Sequence, residues 1–449
     1  MPNPHIQYFS DVVEIALTDS DSMNSIGQTL QNMVKQAGIR FPTVKRMKIT
    51  LLGKHFHNSD DVDIFKYLSN SVEEIEIDLS VSSIVVKSNS LFTFNFNASR
   101  EYTSLAILIK GGNINSKNAK ATCFNITNSV TAFYSIKFEH VRVDGFSRHV
   151  FTSNINEVII QNSVFTSLFG HGGIDSCSIF CGSADNVSIT QNIFYEIGKA
   201  GLPNEKATGK TTILINNPKC YSLVARNAFL SGEGTAVDIF EGSSIIRENI
   251  FIDYDKGIVV CAKPTTSPID RNIPMISTLR NLFIFTDVPG AYANLQVGHI
   301  SGNMVLFSNK NTTGQFYFFV GPDIQNLTDV EKKKFAGIFS FKNNTGLFIN
   351  GAFLKDGLAL QIPQDATFIV DAEDMVEDID RDDYGNVPAY FFVDNGVPAP
   401  KNFTGYKTPD IQPDIDRLCY HLYRNPVTCT EMFNILMAIP QKGAVPNGY

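Results

Sequence analysis

The residues best suited to chemistry lie in three short stretches near the middle of the chain: His171-Gly172-Gly173-Ile174-Asp175, the lysine-bearing run 199–210, and Glu233 to Glu241. Hydrolysis of a glycosidic bond needs two carboxyl groups about 5 to 10 Å apart across the bond. Glu233 with Asp238, or Asp238 with Asp175, are the pairs able to supply them. A lyase needs instead a base and a charge neutraliser, and His171 with Lys206 or Lys210 has the right residue types. Glu241 joins Lys206 and Lys210 as a candidate substrate-binding residue. The competing reading is that all of these are solvated loop charges and turn residues.

Other clusters point to structure rather than chemistry. Asp378, Asp380 and Asp382 alternate like the start of a calcium loop, but Gly385 comes too late and no Glu closes the site, so a turn is expected. His55 and His57 would face one side of an extended strand; a partly exposed pair is expected there rather than a metal site. Seven cysteines, an odd number, show no zinc-type clustering. Cys123, Cys181 and Cys261 sit in or beside apolar runs and read as buried free thiols, while Cys419 and Cys429 have the option of pairing. No metal or cofactor is implied. Asn-x-Ser/Thr triplets, beginning at Asn97 and Asn125, read as turn chemistry rather than glycan acceptors.

The elements that would position these residues come from a repeat. Ile159-Ile160-Gln161-Asn162-Ser163-Val164-Phe165 is echoed by segments with Asn192, Asn227, Asn249 and Asn281, each ending in an apolar residue and Phe. The intervals between the asparagines are 30, 35, 22 and 32 residues. The shortest approximates one bare coil of a solenoid, and the others carry loops of about 8 to 13 extra residues. Asn at a strand corner tolerates the left-handed region, and stacked coils place such amides about 4.8 Å apart, where they can form a hydrogen-bonded ladder. Before each Asn lies another strand-like run, such as Ser178–Cys181, Thr212–Ile215, Ala236–Ile239 and Gly257–Val260, which makes three strands per coil. About a dozen coils would stack to roughly 55 to 60 Å.

Both ends carry recognisable features. Ser20 to Gly38 reads as an amphipathic helix, with Met23, Ile26, Leu30, Met33 and Val34 at helical spacing and Gly38 as its stop. Helix, Phe41-Pro42, the strand Ile49-Thr50-Leu51 and then Gly53-Lys54-His55-Phe56 resemble the opening of pectate-lyase-like and phage tailspike β-helices, where the helix caps the first coil. Asp380-Arg381-Asp382-Asp383-Tyr384-Gly385-Asn386 resembles the terminator that follows the last coils of bacterial polysaccharide-acting β-helices. The resemblance covers about residues 15 to 395. It implies an all-β right-handed parallel β-helix, with polysaccharide bound at the first sheet and its flanking loops. Enzymes of this class carry catalytic sets that are not found here: no Asn-Thr-Asp, Asp-Asp and Arg-Ile-Lys set, and no calcium-binding Asp ladder.

The expected organisation is an N-terminal segment with a capping helix over 1–45, a β-helix over 46–395, and a linker with a helical tail over 396–449. Within that tail, Val397-Pro398-Ala399-Pro400 reads as linker, and Asp414 to Tyr423 and the segment from Thr428 as short helices. The chain of 449 residues has 18% charged and 43% hydrophobic residues, with Phe 35, Tyr 15 and Trp 0, enough apolar material for a long core. A net charge of −8 without a basic block argues against nucleic acid as the main partner. No run of about 18 apolar residues suggests a membrane span, and the first residues lack a signal-peptide pattern. These features suggest a tailspike-like or fibre-like protein, virion-borne or extracellular. It would be a homotrimer, in contact with other virion proteins, and would engage a host surface polysaccharide. The alternative is a depolymerase, a lyase or glycoside hydrolase of the β-helix class.

Overall fold

The structure, a computed structural model, describes residues 5–9, 11–18, 26–58, 63, 65–96, 104–116, 118, 120–128, 133–168, 177–197, 211–232, 234–252, 254, 256–260, 276–285, 299–301, 304–307, 316–320, 339–342, 345–348, 358–361, 368–370, 386–389, 392–393 and 397–398. The chain divides into two compact units, Met1–Tyr221 and Ser222–Tyr449.

In the first unit, period-two burial makes the strands. Ser104–Lys110 turns Leu105, Ile107 and Ile109 inward and leaves the residues between them on the other face. Three stacks of parallel strands result. The first contains Ser90–Phe96, Thr122–Asn128, Arg148–Ser153, Cys177–Gly182 and the start of Thr211–Ala225. The second runs from Val12–Thr18 through Ser104–Lys110, Phe133–Glu139 and Glu157–Gln161 to Asn186–Thr190. The third includes Asn113–Ser116, Arg142–Asp144, Val164–Thr166 and Ile193–Tyr195. The backbone thus visits three strands and returns above itself. The bare turn takes 22 residues, the separation between the hydrogen-bonded Gln161 and Glu139. Mostly parallel strands in stacked sheets are compatible with a parallel β-helix. His5–Phe9 departs from the pattern by pairing antiparallel with Val12–Thr18.

The helix forms over Ile26–Arg40 and buries Ile26, Leu30, Met33, Val34 and Ala37 on one face. Gly38 does not stop it. A Cβ at Gly38 would lie 3.2 Å from the Tyr67 carbonyl oxygen, so this glycine serves close packing rather than termination. His55 and His57 do share a face, as their spacing predicts, but it is the inner one. They are 1% and 0% exposed rather than a partly exposed pair.

The second unit repeats the arrangement. Ala228–Leu230, Ile250–Ile252, Leu282–Phe285, Met304–Phe307 and Thr345–Phe348 stack in parallel. So do the end of Thr235–Arg247, Ile276–Leu279, His299–Ser301, Phe339–Lys342 and Phe368–Val370. A separate sheet joins Phe316–Val320, Leu358–Gln361 and Asn386–Ala389. Val397–Pro398, expected as linker, pairs antiparallel with Phe392–Val393. The terminator residues 380–385 and the tail helices lie outside the described residues.

The repeat phenylalanines stack inside each unit. Phe165 lies 5.3 Å from Phe194 in the first; in the second, Phe229 lies 4.8 Å from Phe251, and Phe251 4.7 Å from Phe283. All five rings are fully buried.

The corners correct the expected role of asparagine. The left-handed residue is the one before it: Gln191 (φ 58°) in the first unit, and Arg226, Glu248 and Arg280 (φ 57°, 55° and 51°) in the second. Asn192, Asn227, Asn249 and Asn281 are themselves no more than 1% exposed. Their carboxamides, with both donor and acceptor, satisfy backbone groups that the corner would otherwise strand. Asn249 Nδ2 donates to the Val224 carbonyl (2.8 Å) and to Asn281 Oδ1 (3.0 Å), while Asn249 Oδ1 accepts from the Asn227 backbone N–H (2.9 Å). Asn162 is out of step: it is itself left-handed (φ 51°), and Ser163 takes the buried position. In the first unit, therefore, Asn162 and Asn192 do not share a level, whereas in the second Asn227, Asn249 and Asn281 form one column.

Candidate functional site

Of the residues with types and spacing for chemistry, Asp238 has a described side chain. His171, Asp175, Lys206, Lys210 and Glu233 lie outside the described residues, and for Glu241 the backbone alone is described, within the strand Thr235–Arg247. Asp238 pairs in parallel with Val259. Val237 and Ile239, its neighbours, are 0% exposed, so the half-buried side chain of Asp238 occupies the strand's opposite face. Its expected partners, Glu233 and Asp175, lie outside the described residues.

The outer face of the first stack in the first unit shows what such strands present. Val150, Thr152, Ile179 and Cys181 turn inward, which sends Phe151 and Phe180 outward. These two rings, both half-buried, stack at 4.8 Å with an interplanar angle of 9°. The guanidinium of Arg148 lies over Phe151, 5.1 Å from its centroid. The column continues with Asn125 on one side and Leu214 on the other. Beside it, Thr127, Ser153, Gly182 and Asn216 stand level across successive strands. A Cβ at Gly182 would fall 2.5 Å from Phe180 Cε1, so the bare glycine gives the ring its place. Phe180 and Leu214 are legible from sequence as outward-facing. Phe151 is not, because His149 and Val150 are both buried and break the alternation before it.

A second constellation has catalytic residue types without access. His149 Nδ1 lies 2.6 Å from the Ser178 hydroxyl, and both residues are 0% exposed. The rings of Phe165 and Phe146 are 5.5 Å and 6.3 Å away. Burial holds the His149 pKa down at about 3, against a smaller upward pull from the Thr166 backbone, so the imidazole is neutral. A base and a hydroxyl in contact form a nucleophile's geometry, but no substrate reaches a pair sealed in the core. The pair is structural.

Cys123, Cys177, Cys181 and Cys220 are buried free thiols, as expected for Cys123 and Cys181. Burial pushes Cys181 and Cys220 up to about 12, and Cys123 well above its ordinary value, so none is a thiolate at neutral pH. Among the described residues no group of three or more His, Cys, Asp or Glu is placed to hold a metal ion. No described helix is long and apolar enough to cross a membrane.

Comparison of the chain with known protein families, with curated proteins and with solved structures finds no match.

Proposed function

We propose that the chain is a right-handed parallel β-helix of the tailspike or fibre type that engages a surface polysaccharide through the outer face of its first sheet. The helix Ile26–Arg40 would cap the first coil. The observation that carries this reading is the pair of half-buried, mutually stacked rings of Phe151 and Phe180, flanked by Arg148 and by polar Asn125, Thr127, Ser153 and Asn216. Aromatic faces pack against the C–H faces of sugars, and neighbouring polar groups meet the hydroxyls. With Trp 0 in the chain, Phe and Tyr must supply any such stacking. Parallel strands place equivalent side chains at the coil spacing, about 4.8 Å, which suits a polymer lying along the stack. In this reading the protein works as a homotrimer on a virion, where each binding face is presented more than once and avidity multiplies modest affinity.

The test is binding of the full-length protein to a panel of capsular and lipopolysaccharide glycans, with Phe151→Ala and Phe180→Ala as variants. Loss of binding with unchanged circular dichroism supports the reading; unaltered binding in both variants removes the first-sheet face from it.

One observation favours a depolymerase as second reading: Asp238 puts a half-buried carboxylate on a first strand of the second unit. Release of reducing ends, or absorbance of an unsaturated uronate, abolished by Asp238→Ala and by His171→Ala in folded protein, would establish it.

A further inference from the structure

We propose that the arginine-lined corner of the second unit, formed by Arg226, Arg247 and Arg280, binds the carboxylate or sulfate groups of an acidic glycan. The inference rests on the polysaccharide reading but not on the first-sheet face.

Arg226, Glu248 and Arg280 take the same left-handed corner position in three successive coils, their neighbours Asn227, Asn249 and Asn281 being tied together by the amide ladder. Arg226 Nε donates to Glu248 Oε2 at 2.7 Å, and Arg280 Nη1 lies 4.0 Å from Glu248 Oε1. Arg247, one residue before Glu248, is exposed and also helps to hold the Glu248 carboxyl below its ordinary range, after the larger effect of the Arg226 hydrogen bond. Arg226 and Arg280 thus meet the one carboxylate of Glu248, with the exposed Arg247 beside it, a corner richer in positive than negative charge on a chain of net charge −8. Arg280 in particular leaves its side chain 79% exposed.

The fold does not ask for these charges. In the first unit the same corner is made by His140, Asn162 and Gln191, also left-handed, with no arginine among them. Long side chains of several kinds, His140, Gln191 and Glu248 among them, make this turn, so the turn itself does not call for arginine. The corner's own carboxylate is satisfied by Arg226, which leaves the outward guanidinium forks of Arg247 and Arg280 for bidentate pairing with an external carboxylate or sulfate. Two coils separate Arg226 from Arg280, about 10 Å at the strand spacing, a span comparable to one disaccharide. On the strands leading into the corner, Ile245 is 46% exposed and Leu223 and Leu279 are half-buried, which gives sugar rings an apolar surface beside the charges. A small positive corner on an acidic molecule suits a polymer with sparse charge. A nucleic acid, with its dense phosphates, would meet the repulsion of the whole chain.

The test measures binding of the whole protein to alginate and chondroitin sulfate oligomers, with dextran as neutral control and a single-stranded oligothymidylate as phosphate control. The variants are Arg247→Gln with Arg280→Asn, the latter chosen because Asn tolerates the left-handed corner, and their melting temperature is checked against the parent. The expected result is binding of at least one acidic oligomer that weakens at least tenfold in the double variant and on raising salt, with any dextran binding unchanged. No binding to either acidic oligomer, binding indifferent to the double variant, or tighter binding to oligothymidylate would each overturn the proposal. Phe151→Ala and Phe180→Ala separate the two sites: acidic binding that survives them while neutral-glycan binding does not upholds both readings. Acidic binding that survives alone, with glycan binding elsewhere insensitive to the phenylalanines, leaves the corner and removes the first-sheet face.

Discussion

Asn192 Oδ1 accepts the backbone N–H of Ser163, one coil away, at 2.9 Å, and Asn192 Nδ2 returns a hydrogen bond to the Ile160 carbonyl at 2.9 Å. One buried carboxamide therefore closes both halves of a corner that the strands leave open. Ser163 passes part of this on: its hydroxyl accepts the Val141 N–H at 3.2 Å and donates to the Gln161 carbonyl at 2.9 Å. The corner position is thus defined by what it must hydrogen-bond, and Asn or Ser fills it according to reach.

Asn249→Ala should be among the most damaging substitutions in the second unit. It leaves the buried Asn227 N–H and Val224 carbonyl without the groups that now satisfy them, a loss of about 2 to 4 kcal/mol. Asn162→Ala, at a half-buried left-handed position outside the amide ladder, should cost only about 1 kcal/mol. Thermal or denaturant unfolding of the two variants checks the ordering; equal losses would mean that the two asparagines are equivalent after all.

His149 makes stability depend on acid. Its pKa is held at about 3 in the fold, below the ordinary value of 6.5. The unfolded chain therefore binds a proton first as pH falls. The contribution is fully present above about pH 6.5 and is lost progressively down to about pH 3, on the order of a few kcal/mol in total. Denaturation curves between pH 7 and pH 4 should show this slope, and His149→Gln should flatten it. A slope unchanged in that variant would assign the acid sensitivity to other groups.

Gly182→Ala tests the outer ring pair. The added methyl meets the edge of the Phe180 ring, 2.5 Å from Cε1, and the ring must swing away from Phe151. Because that ring is half-exposed, it can move, and the expected loss of stability is modest, about 1 kcal/mol. Glycan binding through the first-sheet face should fall several-fold. A variant that binds as well as the parent would show that the stacked arrangement is not what the ligand uses.

Much of this architecture could be read from residue order, and the failures have physical causes. The phenylalanines stack where the repeat puts them because an inward aromatic at a fixed place in each coil has nowhere else to go. The repeat alone sets the left-handed residue one place too late at most corners, because Asn has two competing uses: it tolerates a left-handed backbone and it carries a paired donor and acceptor. Inside a solenoid the second is worth more, and Asn192, Asn227, Asn249 and Asn281 go inside while Gln, Arg and Glu take the left-handed position. The distance to the next Phe held the signal: Phe165 comes three residues after Asn162, whereas Phe194 comes two after Asn192. The polarity of His55 and His57 points to a partly exposed pair, yet their strand, Arg46–His57, buries every second residue near its end. Asp238 lies in the strand that its apolar neighbours predict, while Phe151 and the arginine corner carry no motif and emerge only when coils are laid over one another.

Engineered cross-linking tests the stacking itself. Ile159 and Ser188 are parallel partners on adjacent second strands, both on the outer face, and at about 4.8 Å strand spacing they fall within disulfide reach. The native described cysteines are buried, so they compete little. Ile159→Cys with Ser188→Cys should oxidise rapidly to an intramolecular disulfide. Ile159→Cys with Thr190→Cys, displaced by two residues along the strand and beyond about 7 Å, should not. Equal cross-linking of the two pairs, or none in either, would contradict the stacked register on which the whole account is built.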